Sequence, residues 1–165
     1  MNDRLKEVAD KTGRQGDSGA QVPPSFGPTG RSLPIALLRA RETIMIPIRE
    51  MLQASGISEQ QWRVLRVVDE AGEIEQSAIA QAACLQLPSL TRILRSMEGA
   101  GLVSRRTDEV DRRRTLVRIS PAGKQLLASH RAHNAAIFTR LETAFGRERL
   151  DALLDLLDDL QQVRL

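Results

Sequence analysis

Aromatic residues make up only 2% of this 165-residue chain, and tyrosine is absent. Single-stranded nucleic acid is held largely by stacking bases on exposed rings, so the scarcity of rings argues against that mode of binding. The one cysteine, Cys84, leaves no internal disulfide framework and suits a reducing cytoplasm. No apolar run approaches the roughly 18 residues needed to span a bilayer. The opening MNDRLKEVADKTGRQ lacks the apolar core of a secretory signal. A cytoplasmic location is therefore expected, with no membrane partner.

What is present is ordinary for a globular protein, with 41% apolar and 27% charged residues. The length suits one domain, or one domain with an extension. Net charge is only +3, but the pI of about 9.7 reflects many arginines. That is a mild pull toward an anionic partner, and where the arginines lie matters more than their total.

Residues 1–31 hold much of the glycine and proline and little apolar periodicity, which predicts a disordered arm with a short helical turn near RLKEVAD. From Ser32 the pattern becomes helical. Ser32 can cap, Pro34 fits the first turn, and Leu33, Leu37, Ala40, Ile44 and Ile48 recur at helical spacing to about Gln53. Pro47 bends this helix or costs it a hydrogen bond. In GISEQQWRVLRVVDEAG, Ser58 caps and Gln61 stands three residues on as in a capping box. Trp62, Leu65 and Val68 face inward there, and Gly72 stops the helix. EQSAIAQAA predicts a short third helix, and LPSLTRILRSMEGAG a fourth from Pro88 to Gly101. LVSRR and RTLVRIS read as a β-hairpin around a polar tip. A long helix follows from Pro121 to about Phe145, Gly146 breaks it, and RERLDALLDLLDDLQQV makes the last. With one small hairpin among six helices, the fold class is mainly α.

The third and fourth helices have the spacing of a helix-turn-helix, with Cys84 and Leu85 in the turn, where glycine is common at the cysteine's position. On the fourth, Leu90, Ile93, Leu94 and Met97 share one face. The opposite face carries Ser89, Thr91, Arg92, Arg95 and Ser96, groups that reach base edges and phosphates in a major groove. An ordinary amphipathic helix with a solvated polar face would read the same way. The hairpin adds weight: Val117 and Ile119 alternate with Leu116 and Arg118, so one face packs and the other stays wet. Its tip, TDEVDRRR, is too polar to bury. An arginine-rich tip beside a recognition helix can insert a guanidinium into the narrow, negative minor groove. Asp108 and Asp111 would repel phosphate, so their expected task is to orient neighbouring arginines by bidentate pairing. A charge run that is merely solvated is the alternative.

GISEQQWRVLRVV, EIEQSAIAQAACLQLPSLTRILRSMEGAGLVSRR and DRRRTLVRISPAGKQLL together resemble a winged-helix regulator of the MarR family. The resemblance covers nearly all of residues 32–165 and includes the family's D-x-R wing signature at Asp111-Arg112-Arg113. LPIALLRARETIM and SEQQWRVLR are most similar to the subgroup that represses homoprotocatechuate (4-hydroxyphenylacetate) degradation operons. The resemblance implies a winged helix-turn-helix with N- and C-terminal dimerisation helices, the DNA-binding part spanning 57–119 and the dimerisation helices 32–56 and 120–165. It further implies that Arg113 reaches the minor groove, that Asp111 holds the wing, and that the helix bearing Ser89, Thr91, Arg92 and Arg95 enters the major groove of double-stranded DNA. Arg112 and Arg114 are then expected to meet phosphate or solvent.

The last helix presents Leu150, Leu153, Leu154, Leu157 and Leu160, with Leu156 and Val163 beside them. That is more apolar surface than a small winged helix needs, so a homodimer that buries it against the first helix is expected, matching a palindromic operator. Members of the family commonly bind small aromatic acids between the dimer helices and the winged helix. Arg39, Met45, Trp62 and Arg66 are the candidate effector residues, an arginine for a carboxylate beside an aromatic wall. The alternative makes Trp62 plain core and lets Arg39 snorkel to the surface.

Three further chemistries are weighed. Cys84 as a redox switch would need an activating environment that the sequence does not show. His130 and His133 form H-x-x-H, but no acid or cysteine clusters beside them, so two solvated histidines are expected and no metal or cofactor. No Ser/His/Asp set, paired catalytic carboxylates or Gly-rich phosphate loop is visible, so the chain does not read as an enzyme. The expectation is a dimeric repressor of an aromatic-acid catabolic operon, released by a small phenolic acid. A redox, stress or virulence regulator of the same family is the rival.

Overall fold

Two of the helices begin on a capping serine, Ser58 and Ser120, whose hydroxyls accept from Gln61 N–H and Gly123 N–H. The computed structural model describes residues 29–164, and the disordered arm expected over 1–31 lies, except for its last three residues, outside them. Thr29–Arg31 form a single 3-10 turn. The chain divides into two units between Leu38 and Arg39, and the hydrophobic core lies in the second. Helix α1 runs Leu33–Gln53 without interruption through Pro47. The Ser32 carbonyl accepts the Ala36 N–H (2.8 Å), which places Ser32 at the cap as expected.

Helix α2 (Glu59–Ala71) carries the full capping box: Gln61 N–H donates to Ser58 Oγ, and Ser58 N–H donates back to the Gln61 side chain. Next come α3 (Gln76–Ala82) and α4 (Leu87–Gly99), then strands β2 (Val103–Thr107) and β3 (Thr115–Ile119). The last two helices are α5 (Pro121–Phe145) and α6 (Arg147–Gln162). Among the described residues no helix is long and apolar enough to cross a membrane.

The hairpin has a third partner. Glu73–Glu75 form a short strand, β1, pairing antiparallel with β3 in the register Glu73 to Arg118, Ile74 to Val117 and Glu75 to Leu116. The order β1-β3-β2 puts β3 in the middle. This corrects the expectation of a lone hairpin. A three-residue strand with one apolar residue carries no visible alternation, and its last residue reads equally well as the start of α3.

Apolar burial joins these pieces. One cluster combines Val64, Leu65 and Val68 of α2, Ile79 and Ala80 of α3, Leu90, Leu94 and Met97 of α4, Val103 of β2 and Val117 and Ile119 of β3. A second joins Ile48, Met51 and Leu52 of α1 to Trp62 and Ile137. Gly123, in the first turn of α5, lets that helix approach the sheet; a Cβ there would collide with the Leu102 carbonyl and stand 2.8 Å from Ile119 Cγ1.

Two helices end in the same motif built on different residues. At the end of α4, Gly101 has φ +71°, with Gly101 N–H bonded to the Glu98 carbonyl and Leu102 N–H to that of Met97. At the end of α3 the same pair of bonds, Cys84 N–H to Gln81 and Leu85 N–H to Ala80, closes around Cys84 at φ +50°. A side chain in left-handed backbone costs on the order of 1 kcal/mol. Cys84→Gly is therefore expected to raise stability against urea by about 1 kcal/mol; a variant no more stable than wild type would contradict a strained turn.

Candidate nucleic-acid interface

On α4 the expected inward face is the buried one: Leu90, Leu94 and Met97 are enclosed and Ile93 packs against them. Arg92, Arg95 and Ser96 are exposed, and Ser89 and Thr91 half-buried. Neither Arg92 nor Arg95 forms an ion pair among the described residues. Thr91 is differently occupied: its hydroxyl donates to the Leu87 carbonyl (3.0 Å) and accepts from Gln76 Nε2 (2.7 Å). Thr91 thus ties the start of α3 to α4 and keeps only its methyl and one lone pair free. A cleft of about 460 Å³ runs alongside, lined by Ser58, Gln60, Gln61, Ser89, Arg92, Ile93 and Ser96. The turn is braced by Arg63, a residue the sequence reading missed, whose Nη1 donates to the Ala83 carbonyl at 2.7 Å.

The wing tip is closed by backbone. Asp108 N–H donates to the Arg114 carbonyl and Arg114 N–H to that of Asp111. The two aspartates also bond backbone, not guanidinium: Asp108 Oδ1 accepts from Val110 N–H at 2.8 Å, and Asp111 Oδ1 from Arg113 N–H at 3.0 Å. The expected bidentate pairing of Asp108 and Asp111 with arginine is therefore corrected. A carboxylate on one methylene folds back onto an N–H two residues on, the local turn that aspartate favours.

The arginines look elsewhere, to glutamates on neighbouring elements. Arg105 Nε donates to Glu98 on α4 (2.9 Å). Arg106 forks onto both Glu73 oxygens (3.1 and 2.7 Å), and Arg118 Nε lies 3.6 Å from the same carboxylate. Arg114 Nε donates to Glu75 at 2.6 Å, so Arg114, expected to meet phosphate or solvent, is paired with a carboxylate while remaining exposed. Of the hairpin's six arginines, Arg112 and Arg113 alone form no ion pair among the described residues, and both are exposed.

These bonds favour ionised acids. The Arg106 guanidinium holds the Glu73 carboxyl below its ordinary value, the Ser77 hydroxyl and then Arg114 do so for Glu75, and Arg105 for Glu98. The Val110 N–H lowers Asp108 in the same way. A carboxyl lowered on folding stabilises the fold fully above its ordinary value and loses that contribution as pH falls through the lowered one.

Of the candidate effector residues, Trp62 is buried and Met45 packs half-buried against its cluster. Trp62 also lines a groove of about 250 Å³ with Arg66, Asp69, Glu70, Leu127, Arg131 and Asn134. Arg39 is exposed on α1 and lies outside that lining. His130 departs from the expectation of two solvated histidines: it is only 8% exposed, edge-on to Trp62 at 5.5 Å, with Nε2 2.8 Å from Ser55 Oγ. Ser55 Oγ also lies 3.0 Å from the Leu52 carbonyl, so its hydroxyl links the ring to the end of α1. His133 is exposed, and no cluster of three or more His, Cys, Asp or Glu residues placed to hold a metal occurs among the described residues. Cys84 is exposed at its turn.

A family model described as MarR family matches residues 57–115. The chain is 35% identical over 132 residues to the HTH-type transcriptional regulator FarR of Neisseria gonorrhoeae, covering 80% of this chain and 90% of that one. It is 34% identical over 128 residues to the homoprotocatechuate degradative operon repressor of Escherichia coli, covering 78% and 86%. Among solved structures it is similar to NadR in complex with 4-hydroxyphenylacetate, with a TM-score of 0.73, 34% identity, and 81% and 94% of the two chains covered.

The stability difference between wild type and Glu98→Gln is expected to stay constant from about pH 6 to 8 and to close as pH falls below the ordinary glutamate value of 4.5. Urea unfolding across that range checks it; a difference unchanged at roughly pH 2 would mean the Arg105 pair contributes nothing.

Proposed function

The chain belongs to the MarR family of DNA-binding transcriptional regulators, and from that premise we propose that it is a dimeric repressor of an aromatic-acid catabolic operon. It binds a palindromic operator and is released by a small phenolic acid. The observation that carries the DNA reading is the placement of unpaired cations: Arg92 and Arg95 on the exposed face of α4, Arg112 and Arg113 at the wing tip. In this reading α4 lies in the major groove, with Ser89, Arg92 and Arg95 facing bases and phosphates and Thr91 offering its methyl. Arg113 enters the minor groove, Arg112 meets phosphate, and Asp111 holds the backbone from which Arg113 projects.

The dimer is supported by α6, which buries none of its residues. Leu153, Leu154, Leu156 and Leu160 are exposed along it and Val163 just past its end, and Ile46 is exposed on α1. Apolar surface of this kind is covered by a partner, and a second copy related by a two-fold axis matches a palindromic site. Recognition by the N- and C-terminal helices leaves the two α4 helices about one DNA turn apart.

The effector site is the groove at Trp62. An indole edge and Leu127 offer an aromatic acid its apolar wall, and Arg66 and Arg131 supply cations for its carboxylate. Arg39 lies outside the groove, so the carboxylate role passes to these two, and Met45 supports the wall from behind Trp62. The similarity to a homoprotocatechuate operon repressor and to NadR holding 4-hydroxyphenylacetate points to that class of ligand. The groove joins α2 of the DNA-binding part to α5, so a ligand that prefers one spacing of the two shifts the dimer away from the DNA-matched geometry. Its effect equals its differential affinity for the two states.

Arg113→Ala is expected to weaken binding to operator DNA by tenfold or more while leaving the melting temperature unchanged; wild-type affinity in a titration would contradict the wing reading. 4-Hydroxyphenylacetate at saturating concentration is expected to raise the melting temperature of the wild type and not that of Arg66→Ala. An equal rise in both would remove Arg66 from the site.

A further inference from the structure

The exposed face of the sheet holds a set of charges with a consequence for how selectively the protein binds DNA. Residues two apart on a strand share a face, so Glu73 and Glu75 of β1 point the same way. In register across the sheet lie Arg118 and Leu116 on β3, then Arg106 on β2 opposite Leu116. The other face carries Ile74, Val117, Val103 and Ile119, turned to the core. Arg114, one residue before β3, joins the exposed set through Glu75. Three guanidiniums therefore stand on two carboxylates along one face of the wing, while Arg112 and Arg113 at its tip stand on none.

We propose that Glu73 and Glu75 are specificity-determining residues, which hold Arg106, Arg114 and Arg118 off the phosphate backbone so that sequence-independent attraction is confined to the wing tip. The fork of Arg106 onto both Glu73 oxygens occupies the same two parallel N–H groups that a phosphate would take. Arg106 and Arg114 remain half-exposed, with side-chain exposures of 50% and 52%, so solvent and phosphate could reach them if the carboxylates were neutral. Exposed pairs of this kind contribute little to folding, which leaves stability a weak reason for placing two acids beside a DNA-binding hairpin. Each cation that meets phosphate strengthens binding to every sequence alike and steepens the salt dependence. A hairpin with all its arginines free would raise non-specific affinity and narrow the ratio that separates operator from bulk DNA.

The inference rests on the wing meeting DNA, which Arg113→Gln tests separately. Binding to a duplex of arbitrary sequence is measured against salt concentration for wild type, Glu75→Gln, Arg114→Gln, the Glu75→Gln/Arg114→Gln double variant and Arg113→Gln, each with a melting curve. Glu75→Gln is expected to bind more tightly and to steepen the plot of log affinity against log salt by about 0.9 per protomer. Arg114→Gln alone is expected to keep the wild-type slope, and the double variant to return to it. Arg113→Gln is expected to make the slope shallower. An unchanged slope in Glu75→Gln overturns the proposal. So does a gain that survives in the double variant, which would show plain repulsion by Glu75. Loss of slope in Arg114→Gln equal to that in Arg113→Gln also overturns it, because Arg114 would already lie on phosphate; this arm decides even if Glu75→Gln fails to fold. An unchanged slope in Arg113→Gln removes the wing from DNA, and the inference falls with the reading beneath it.

Discussion

Val117 fastens the wing to the helix-turn-helix. It is fully buried at the centre of the middle strand, in one cluster with Val64, Leu65 and Val68 of α2 and Leu90, Leu94 and Met97 of α4. The proposed reading of two grooves at once needs a fixed distance between its two probes. A two-stranded hairpin is marginal alone, and a third strand with an apolar face gives it a stable footing. Strand β1 supplies that strand by pairing Ile74 with Val117. At the other end Gly123 lets α5 close over the Leu102 carbonyl and Ile119. The recognition helix and the wing base thus share one core, and only the tip extends beyond it.

On this base, the proposed DNA contacts depend on which arginines are left over. A guanidinium satisfied by a carboxylate has no fork to offer a phosphate. The chain spends Glu98, Glu73 and Glu75 on four hairpin arginines and leaves Arg112 and Arg113 to the solvent. The tip aspartates serve geometry, since each ties down a backbone N–H and sets where the next arginine starts. Reach explains the division of labour: aspartate is too short to leave its own turn, whereas arginine spans the width of a strand.

Much of this was legible in the sequence, and the misses share a cause. The capping box at Ser58 and Gln61, the inward faces of α2 and α4, and the alternation of Val117 and Ile119 are local patterns, and they appear as read. The third strand, the Gln76 bond to Thr91, the Arg63 brace on Ala83 and the Arg106 fork on Glu73 join residues 15 to 45 positions apart. Nothing in the spacing of those residues announces the contact. His130 shows the same limit: its partner Ser55 lies 75 positions away, so H-x-x-H on a long helix looked like surface. The tip aspartates were misjudged for a different reason, that a nearby arginine was a more familiar partner than the adjacent backbone. Arg39 was read from its place on an apolar helical stretch, and it is exposed on α1 outside the groove that Trp62 and Arg66 line.

The central claim is that the wing tip lies in the minor groove while α4 occupies the neighbouring major groove. Val110 is 97% exposed at that tip and makes no side-chain contribution to the interface described above. An iron chelate attached at Val110→Cys in a Cys84→Ser background would cut DNA within reach of the tip. On a duplex selected by the protein from random sequence, the account predicts two symmetric cleavage sites flanking the binding site, with breaks on the two strands offset toward their 3′ ends, the mark of a reagent in the minor groove. Breaks offset toward the 5′ ends, or no cleavage from a fully bound complex, would contradict it.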